Sequence, residues 1–275
     1  MIGIRWWSVG RAAGTILVLG LGACSDSGAP TDDTIPSAEA ADIGDAAADE
    51  GEQASLAVGP IARGCATVDD LTDTDQDGAP DQATFTYTLP ACHFTGYRGG
   101  TLDVTGVIVL SDPTPTAADF AYQATLEDFT RSFTGAGGAR SYTAVRNGSR
   151  VLTGNAAGLS LSNTMTVVRT YPARPQGTVS HNLLLQFTPA AGASLRRGDP
   201  LPDGIFTENG TLTWSREGRS RTFTVTTVAP LVWDASCSTE RKIASGEIRL
   251  TLASGGYVRL VWSGCGVDPT RSFVG

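Results

Sequence analysis

Large apolar residues alternate with threonine or serine through much of the chain beyond residue 60. This period-two pattern is typical of strands that bury one face and expose the other. Residues 84–89, with the sequence TFTYTL, show it most clearly. The same pattern recurs in residues 159–168, 212–214, 223–225, 248–252 and 257–262. No segment combines helical periodicity with convincing helix caps, so the chain is predicted to be all-β.

Turn-forming residues separate several of these segments. Asn147-Gly148 is a pair that type I′ hairpin turns favour, Glu217-Gly218 separates two predicted strands, and residues 254–256 separate the last two. A glycine also comes before four predicted strands, at Gly100, Gly177, Gly210 and Gly246. Their spacing is irregular, which indicates a meander of hairpins and not a repeat array.

Residues 116–133 come nearest to a helical pattern. Phe120, Tyr122, Ala124 and Leu126 nevertheless alternate with period two. We therefore predict a strand here, with a helix as the alternative.

The predicted fold is an antiparallel meander that forms a single domain over residues 61–275. Its apolar face must be covered by a second sheet or by curling of the sheet on itself. We favour a sandwich-like packing, with an open half-barrel sheet as the alternative. Trp214, Trp233 and Trp262 are expected to lie in the core.

The N-terminus has the pattern of a lipoprotein signal peptide, predicted to span residues 1–23. Arg5 and Arg11 come before a short apolar stretch, residues 12–21. This stretch is too short to favour a membrane-spanning helix. Leu21-Gly22-Ala23-Cys24 resembles the lipobox of bacterial lipoproteins, which implies that Cys24 carries acyl chains such as palmitate and anchors the chain to a membrane. Ser25 resembles an outer-membrane sorting signal.

Residues 24–60 are predicted to be a disordered acidic tether that begins at the lipidated cysteine. From residue 25 to residue 60 there are nine acidic residues and no Lys or Arg. Such a composition buries too little apolar surface to offset the entropy of the chain. Residues 61–275 carry nearly balanced charge and no basic face, so nucleic acid is not expected as a partner.

Assigning Cys24 to lipid leaves an even set of four cysteines, Cys65, Cys92, Cys237 and Cys265. Four cysteines allow three disulfide connectivities. We favour Cys65 with Cys92 and Cys237 with Cys265, because each pair brackets one apparent hairpin. Free buried thiols remain an alternative, and zinc is less favoured because no close C-x-x-C spacing occurs.

Residues 73–81, with the sequence DTDQDGAPD, place carboxylates at alternate positions before a glycine. Calcium takes six to eight oxygen ligands, and this spacing can wrap them around one ion. The run resembles the calcium loops of thrombospondin type 3 repeats. That resemblance implies a structural calcium site with Asp73, Asp75, Asp77, the carbonyl oxygen of Ala79, and Asp81 as ligands; the alternative is a solvated acidic turn.

No catalytic motif is present, and the protein is not expected to be an enzyme. The chain has two histidines, His93 and His181, and both are predicted to have packing or surface roles. G-x-S-x-G, H-E-x-x-H, phosphate-binding and dinucleotide-binding motifs are all missing from the sequence.

The cysteine-bounded Asp-rich loop followed by residues 83–87, the segment 210–214, and Cys237 with residues 264–266 together resemble predicted bacterial lipoproteins of unassigned activity. The resemblance covers roughly residues 65–268 and implies a shared β fold and no particular activity. We therefore expect a non-catalytic binding or structural module of the cell envelope, with an unknown envelope protein or glycan as partner. The alternative is a carrier of lipid or another apolar ligand.

Overall fold

Thirteen strands make up most of the part of the chain that the structure, a computed structural model, describes. That part comprises residues 35, 39–40, 42–44, 46–48, 65–97, 100–117, 119–135, 141–172, 174–196, 199–238 and 242–275. The strands are β1 (Thr67–Val68), β2 (Gln82–Tyr87), β3 (His93–Tyr97), β4 (Gly100–Ser111), β5 (Tyr122–Thr134), β6 (Tyr142–Asn155), β7 (Gly158–Tyr171), β8 (Arg174–Pro189), β9 (Gly204–Arg216), β10 (Arg219–Trp233), β11 (Ile243–Leu252), β12 (Tyr257–Trp262) and β13 (Thr270–Val274). The predicted signal peptide and Cys24 lie outside the described residues.

All thirteen strands belong to one antiparallel sheet. Each strand pairs with its neighbour in sequence, except that β4 pairs along one edge with both β3 and β2. The order runs from β1 to β13 without closing on itself. The predicted all-β antiparallel meander is confirmed. All strands in the described part of the chain belong to one sheet, and this sheet is open, as in the open-sheet alternative.

One face of the sheet forms the core. In β8 the side chains of Val179, Leu183, Leu185 and Phe187 are almost fully buried, whereas Leu184 between them is 42% exposed. The same alternation in the other strands joins residues from β2 to β12 in one continuous apolar cluster. The three tryptophans predicted for the core, Trp214, Trp233 and Trp262, are all buried.

A short helix near the N-terminus covers part of this core face. Residues 39–40, 42–44 and 46–48 are helical, and all of them are buried. Alanine and glutamate favour the helix, and burial of the Ile43 side chain on the sheet stabilises it. A Cβ atom placed on Gly44 would lie 3.3 Å from Cδ2 of Leu260 in β12. We call this element the N-terminal helix.

The N-terminal helix lies within the range predicted to be a disordered tether. The prediction of disorder does not hold for its described residues, because the acidic side chains are paired. Glu39 and Asp42 are both buried, and both form ion pairs with arginines of the sheet. Contacts within the chain group Asp33–Gly275 as one compact unit, which begins before the predicted boundary at residue 61.

Gly148, predicted to lie in a turn, and Gly210, predicted to come before a strand, both lie inside strands. Gly148 is in the middle of β6, paired with Met165 of β7, and Gly210 is in the middle of β9, paired with Leu183 of β8. Both have positive φ, at 150° and 147°. These glycines therefore allow a close approach of neighbouring backbones and do not begin or reverse a strand.

Gly177 and Gly246, which are likewise predicted to come before strands, also lie inside them, in β8 and β11. The predicted β9–β10 turn and the predicted strand in residues 116–133 agree with the structure. Glu217 and Gly218 both have positive φ, at 49° and 77°, and join β9 to β10 in a two-residue turn. Residues from Tyr122 onward in the predicted 116–133 segment form β5, and the helical alternative is wrong.

Two disulfides join the ends of the β1–β2 hairpin and of the β11–β12 hairpin. Cys65 is bonded to Cys92, with 5.1 Å between Cα atoms, and Cys237 is bonded to Cys265, with 6.0 Å between Cα atoms. This is the favoured pairing.

Among the residues that the structure describes, no helix is long and apolar enough to cross a membrane.

Candidate metal centre

The Asp-rich loop between β1 and β2 is held by its own carboxylates. Oδ1 of Asp69 accepts hydrogen bonds from the N–H groups of Asp70 and Thr84, at 2.7 and 2.6 Å. The bonds from Thr84 hold the pKa of Asp69 below its ordinary value. Bonds from the N–H and hydroxyl of Thr72 do the same for the pKa of Asp70. Both carboxyl groups therefore stay ionised and add negative charge to the loop.

Asp73, Asp75 and Asp77 form a first group of carboxylates whose oxygen atoms lie within 4.8 Å of one another. The N–H of Asp77 is 3.1 Å from an oxygen of both Asp73 and Asp75, and the N–H of Gly78 donates to Asp73 at 2.8 Å. Positive φ at residue 78, 90°, lets the backbone turn back sharply at that point. The loop thus wraps around its own acidic side chains.

A second group links this loop to the connection between β4 and β5. Oxygen atoms of Asp77, Asp112 and Asp119 also lie within 4.8 Å of one another. The N–H of Asp119 donates to Oδ2 of Asp77 at 3.3 Å, and the N–H of Asp112 is 3.2 Å from the carbonyl oxygens of Pro80 and Asp81. Asp77 therefore belongs to both groups and joins them.

Asp112 has one carboxylate oxygen that is buried without a hydrogen-bond donor among the described residues. The residue is only 5% exposed, and its Oδ1 accepts bonds from the N–H and hydroxyl of Thr114 at 2.7 and 3.2 Å. Its Oδ2 is also buried, and no hydrogen-bond donor reaches it within the described part of the chain. An ionised carboxylate oxygen without a partner is costly to bury, and the neighbouring carboxylates add repulsion. A bound cation would remove both costs.

The predicted ligands have different places in this arrangement. Asp73, Asp75 and Asp77 lie together, as the calcium prediction requires. Asp81 belongs to neither group, because its two oxygens accept the N–H and the hydroxyl of Thr74 at 2.9 and 2.6 Å. Ala79 donates its N–H to Asp77 at 2.8 Å, while ligation by its carbonyl oxygen stays a prediction.

Sequence reasoning missed Asp112 and Asp119. They lie in a loop more than 30 residues beyond the Asp-rich run, and Asp119 falls within the segment 116–133 that was predicted to be a strand. Their proximity to Asp77 follows from the pairing of β2 with β4, in which Gln82 lies opposite Ser111.

The two histidines were predicted to have packing or surface roles. His93 bonds the carboxylate of Asp103 at 2.5 Å on the adjacent strand, and both side chains are more than one-third exposed. In the described residues no serine, threonine or cysteine side chain bonds this imidazole. His181 is buried, with Nε2 3.1 Å from the amide nitrogen of Asn163.

The two carboxylate groups lie at one end of β2, β4 and β5. No protein-family model matches the chain, and no curated protein or solved structure matches it.

Proposed function

We propose that this chain is a lipid-anchored protein of the cell envelope whose β domain is a non-catalytic binding or structural module outside the cytoplasm. The observation that carries the proposal is the use of the cysteines. Two disulfides take up four of the five cysteines, and stable disulfides belong to oxidising compartments. The remaining cysteine, Cys24, is the one in the lipobox.

Attachment by acyl chains at Cys24 would place the domain at the outer membrane, as Ser25 suggests. Several acyl chains on one residue hold a protein firmly, whereas one chain binds only reversibly. Binding of a partner would then use the outward face and the loops of the sheet, because the N-terminal helix covers part of the core face.

One groove on the outward side supports a glycan or protein partner. Its volume is about 390 Å³, and its lining includes Ser160, Gln186, Thr188 and the partly exposed Ile205. Hydroxyl and amide groups beside an apolar side chain suit hydrogen bonding and apolar contact with sugars or a peptide.

We further propose that the Asp-rich centre binds a structural Ca²⁺. Asp77, Asp112 and Asp119 would ligate it, with Asp73 and Asp75 contributing from the other side of Asp77. Calcium is favoured over Mg²⁺ because Mg²⁺ keeps several waters and takes one or two carboxylates. Such an ion would tie the β1–β2 loop, next to the disulfide of Cys65 and Cys92, to the β4–β5 connection.

A labelling experiment tests the anchor. When the full chain is expressed in a diderm bacterium supplied with radioactive palmitate, we expect label in the chain and the protein in the membrane fraction. Cys24→Ser should abolish both, because the acylated thiol is lost. Ser25→Ala, which keeps the cysteine, is the matched control. Labelling that persists in Cys24→Ser would overturn the proposal.

A second candidate function is the carriage of an apolar ligand. It is supported by the contact between the N-terminal helix and the sheet, where small apolar residues lie beside a cluster of ion pairs.

A further inference from the structure

The carboxylates of the N-terminal helix meet an unusual concentration of arginines. Asp42 accepts bonds from Arg174, at 2.6 Å, and from Arg216. Glu39, one helical turn earlier, accepts bonds from Arg221 and, at 3.5 Å, from Arg219. Both carboxylates are only 6% exposed. Two buried anions of the helix thus face four guanidinium groups of the sheet.

The pairing of the strands brings these arginines together. They lie at one end of three adjacent strands, β8, β9 and β10, and the tight turn at residues 217–218 puts Arg216 opposite Arg219. Arg221 lies opposite Trp214 on the same face. Four cations at one end of a sheet repel one another unless an anion lies between them. The planar guanidinium group matches a carboxylate or phosphate group with two parallel hydrogen bonds.

An apolar surface continues from the arginine cluster along the core face. The N-terminal helix lies on it at Leu260, which is fully buried, and Trp214 belongs to the same core. The helix covers this surface mainly with small side chains. Its described apolar residues are Ala40, Ile43, Ala46, Ala47 and Ala48. Gly44 lowers the stability of the N-terminal helix, because glycine is a poor helix former.

We propose that the core face under the N-terminal helix is a binding site for an anionic amphiphile, a molecule with one long apolar chain and a carboxylate or phosphate head. The helix is the resident occupant of that site. Glu39 and Asp42 take the place of the anionic head, and Ile43 with the alanines takes the place of the chain. The amphiphile binds when the helix leaves the face, so the four arginines pass from the helix carboxylates to the ligand head.

This inference rests on the second candidate function, the carriage of an apolar ligand, and not on the lipid anchor or on calcium. Because binding requires the helix to move, the apparent affinity for the amphiphile depends on the fraction of molecules in which the helix has left the core face. Weakening the ion pairs of the helix should therefore strengthen binding, while removing arginines should weaken it.

The test uses the full mature chain with Cys24→Ser and a fluorescent probe, 11-(dansylamino)undecanoic acid. Binding is followed by energy transfer from tryptophan, with Trp214 on the proposed face. We expect Glu39→Gln combined with Asp42→Asn to bind the probe at least about tenfold more tightly than the parent protein. Adding Arg216→Gln and Arg221→Gln to that variant should remove the gain.

Two controls separate this effect from a general loosening of the fold. Glu247→Gln breaks a comparable ion pair with Arg249 and Arg259 on β11 and β12 and should leave the affinity unchanged. The amide of the same probe lacks the anionic head, so it should bind with the same affinity whether or not the arginines are replaced.

Hydrogen exchange shows whether the probe displaces the helix. Saturating probe should speed exchange in residues 39–48. Equal probe affinity in the parent and the Glu39/Asp42 variant would overturn the proposal, as would binding that leaves exchange in this segment unchanged. If near-ultraviolet circular dichroism shows that the double variant does not fold, the single variants Glu39→Gln and Asp42→Asn provide the same comparison. Calcium binding and palmitate labelling are measured separately, so failure here leaves those proposals standing.

Discussion

At the scale of single residues, the buried carboxylates differ in whether hydrogen-bond donors reach them. Glu247 illustrates the paired case: a hydrogen bond from Arg259 and a second from Arg249 lower the pKa of its carboxyl group. Asp112 illustrates the opposite case, because one of its buried oxygens has no hydrogen-bond donor in the described part of the chain. Residues of the second kind are candidates for ion binding.

We expect Asp112→Asn to remove most of the stabilisation by calcium. At 10 mM Ca²⁺ the parent protein should melt about 3–10 °C higher than in EGTA, if its affinity is that of an extracellular calcium module. The variant should show less than about half of this shift, since an amide supplies one neutral ligand oxygen in place of the carboxylate. Differential scanning calorimetry measures both.

Asp199→Asn is the matched control for this measurement. Asp199 is an exposed carboxylate in the connection between β8 and β9, so its replacement should leave the calcium-dependent shift intact. Equal shifts in Asp112→Asn and Asp199→Asn would contradict the assignment of Asp112 as a ligand.

At the scale of strands and turns, most of the fold could be predicted from alternation. The pattern in residues 159–168 and 257–262 identifies strands and their buried faces, because period two leaves little choice of which face is buried. Turn chemistry was informative at Glu217-Gly218. It failed at Asn147-Gly148, because a glycine needed for close approach inside a strand looks the same in sequence as a glycine in a turn.

Gly210 provides the sharpest test at this scale. Its φ is 147°, and a Cβ atom there would lie 2.1 Å from the carbonyl oxygen of Asn182 on β8. We expect Gly210→Ala to lower the free energy of unfolding by about 2–3 kcal/mol, because the backbones of β8 and β9 must separate. Urea unfolding measures the change.

Gly218→Ala is the control, because it shares the positive φ and lacks the clash. Gly218 has φ of 77° in the β9–β10 turn, and a Cβ atom there would have no heavy atom within 4 Å. We expect it to cost about 1 kcal/mol, the ordinary cost of placing alanine in this conformation. If both variants lose the same stability, close packing of β8 against β9 at Gly210 is not the cause.

At the scale of the whole molecule, the sequence predicted the sheet but not what covers it. A broad open sheet with one apolar face needs another element on that face. Composition indicated that residues 24–60 were too acidic to fold, and that argument treats each charge as solvated. It fails for Glu39 and Asp42, whose arginine partners are more than 130 residues away in sequence.

Contacts between residues far apart in the sequence also decide how much of the candidate site can be predicted. The local run from Asp73 to Asp77 can be recognised in sequence, because its ligands are spaced within one loop. Asp112 and Asp119 join that run only after β2 pairs with β4, and a single sequence does not reveal that pairing.

The acidic N-terminal helix belongs to the folded domain and covers part of its core face. Hydrogen exchange of the ligand-free, full mature chain with Cys24→Ser tests this placement most directly. We predict that the backbone amides of residues 39–40, 42–44 and 46–48 exchange at least about 100-fold more slowly than in an unstructured peptide, because these residues are helical and buried. Exchange of this segment at the rate of a free peptide, while the strands stay protected, would contradict the account.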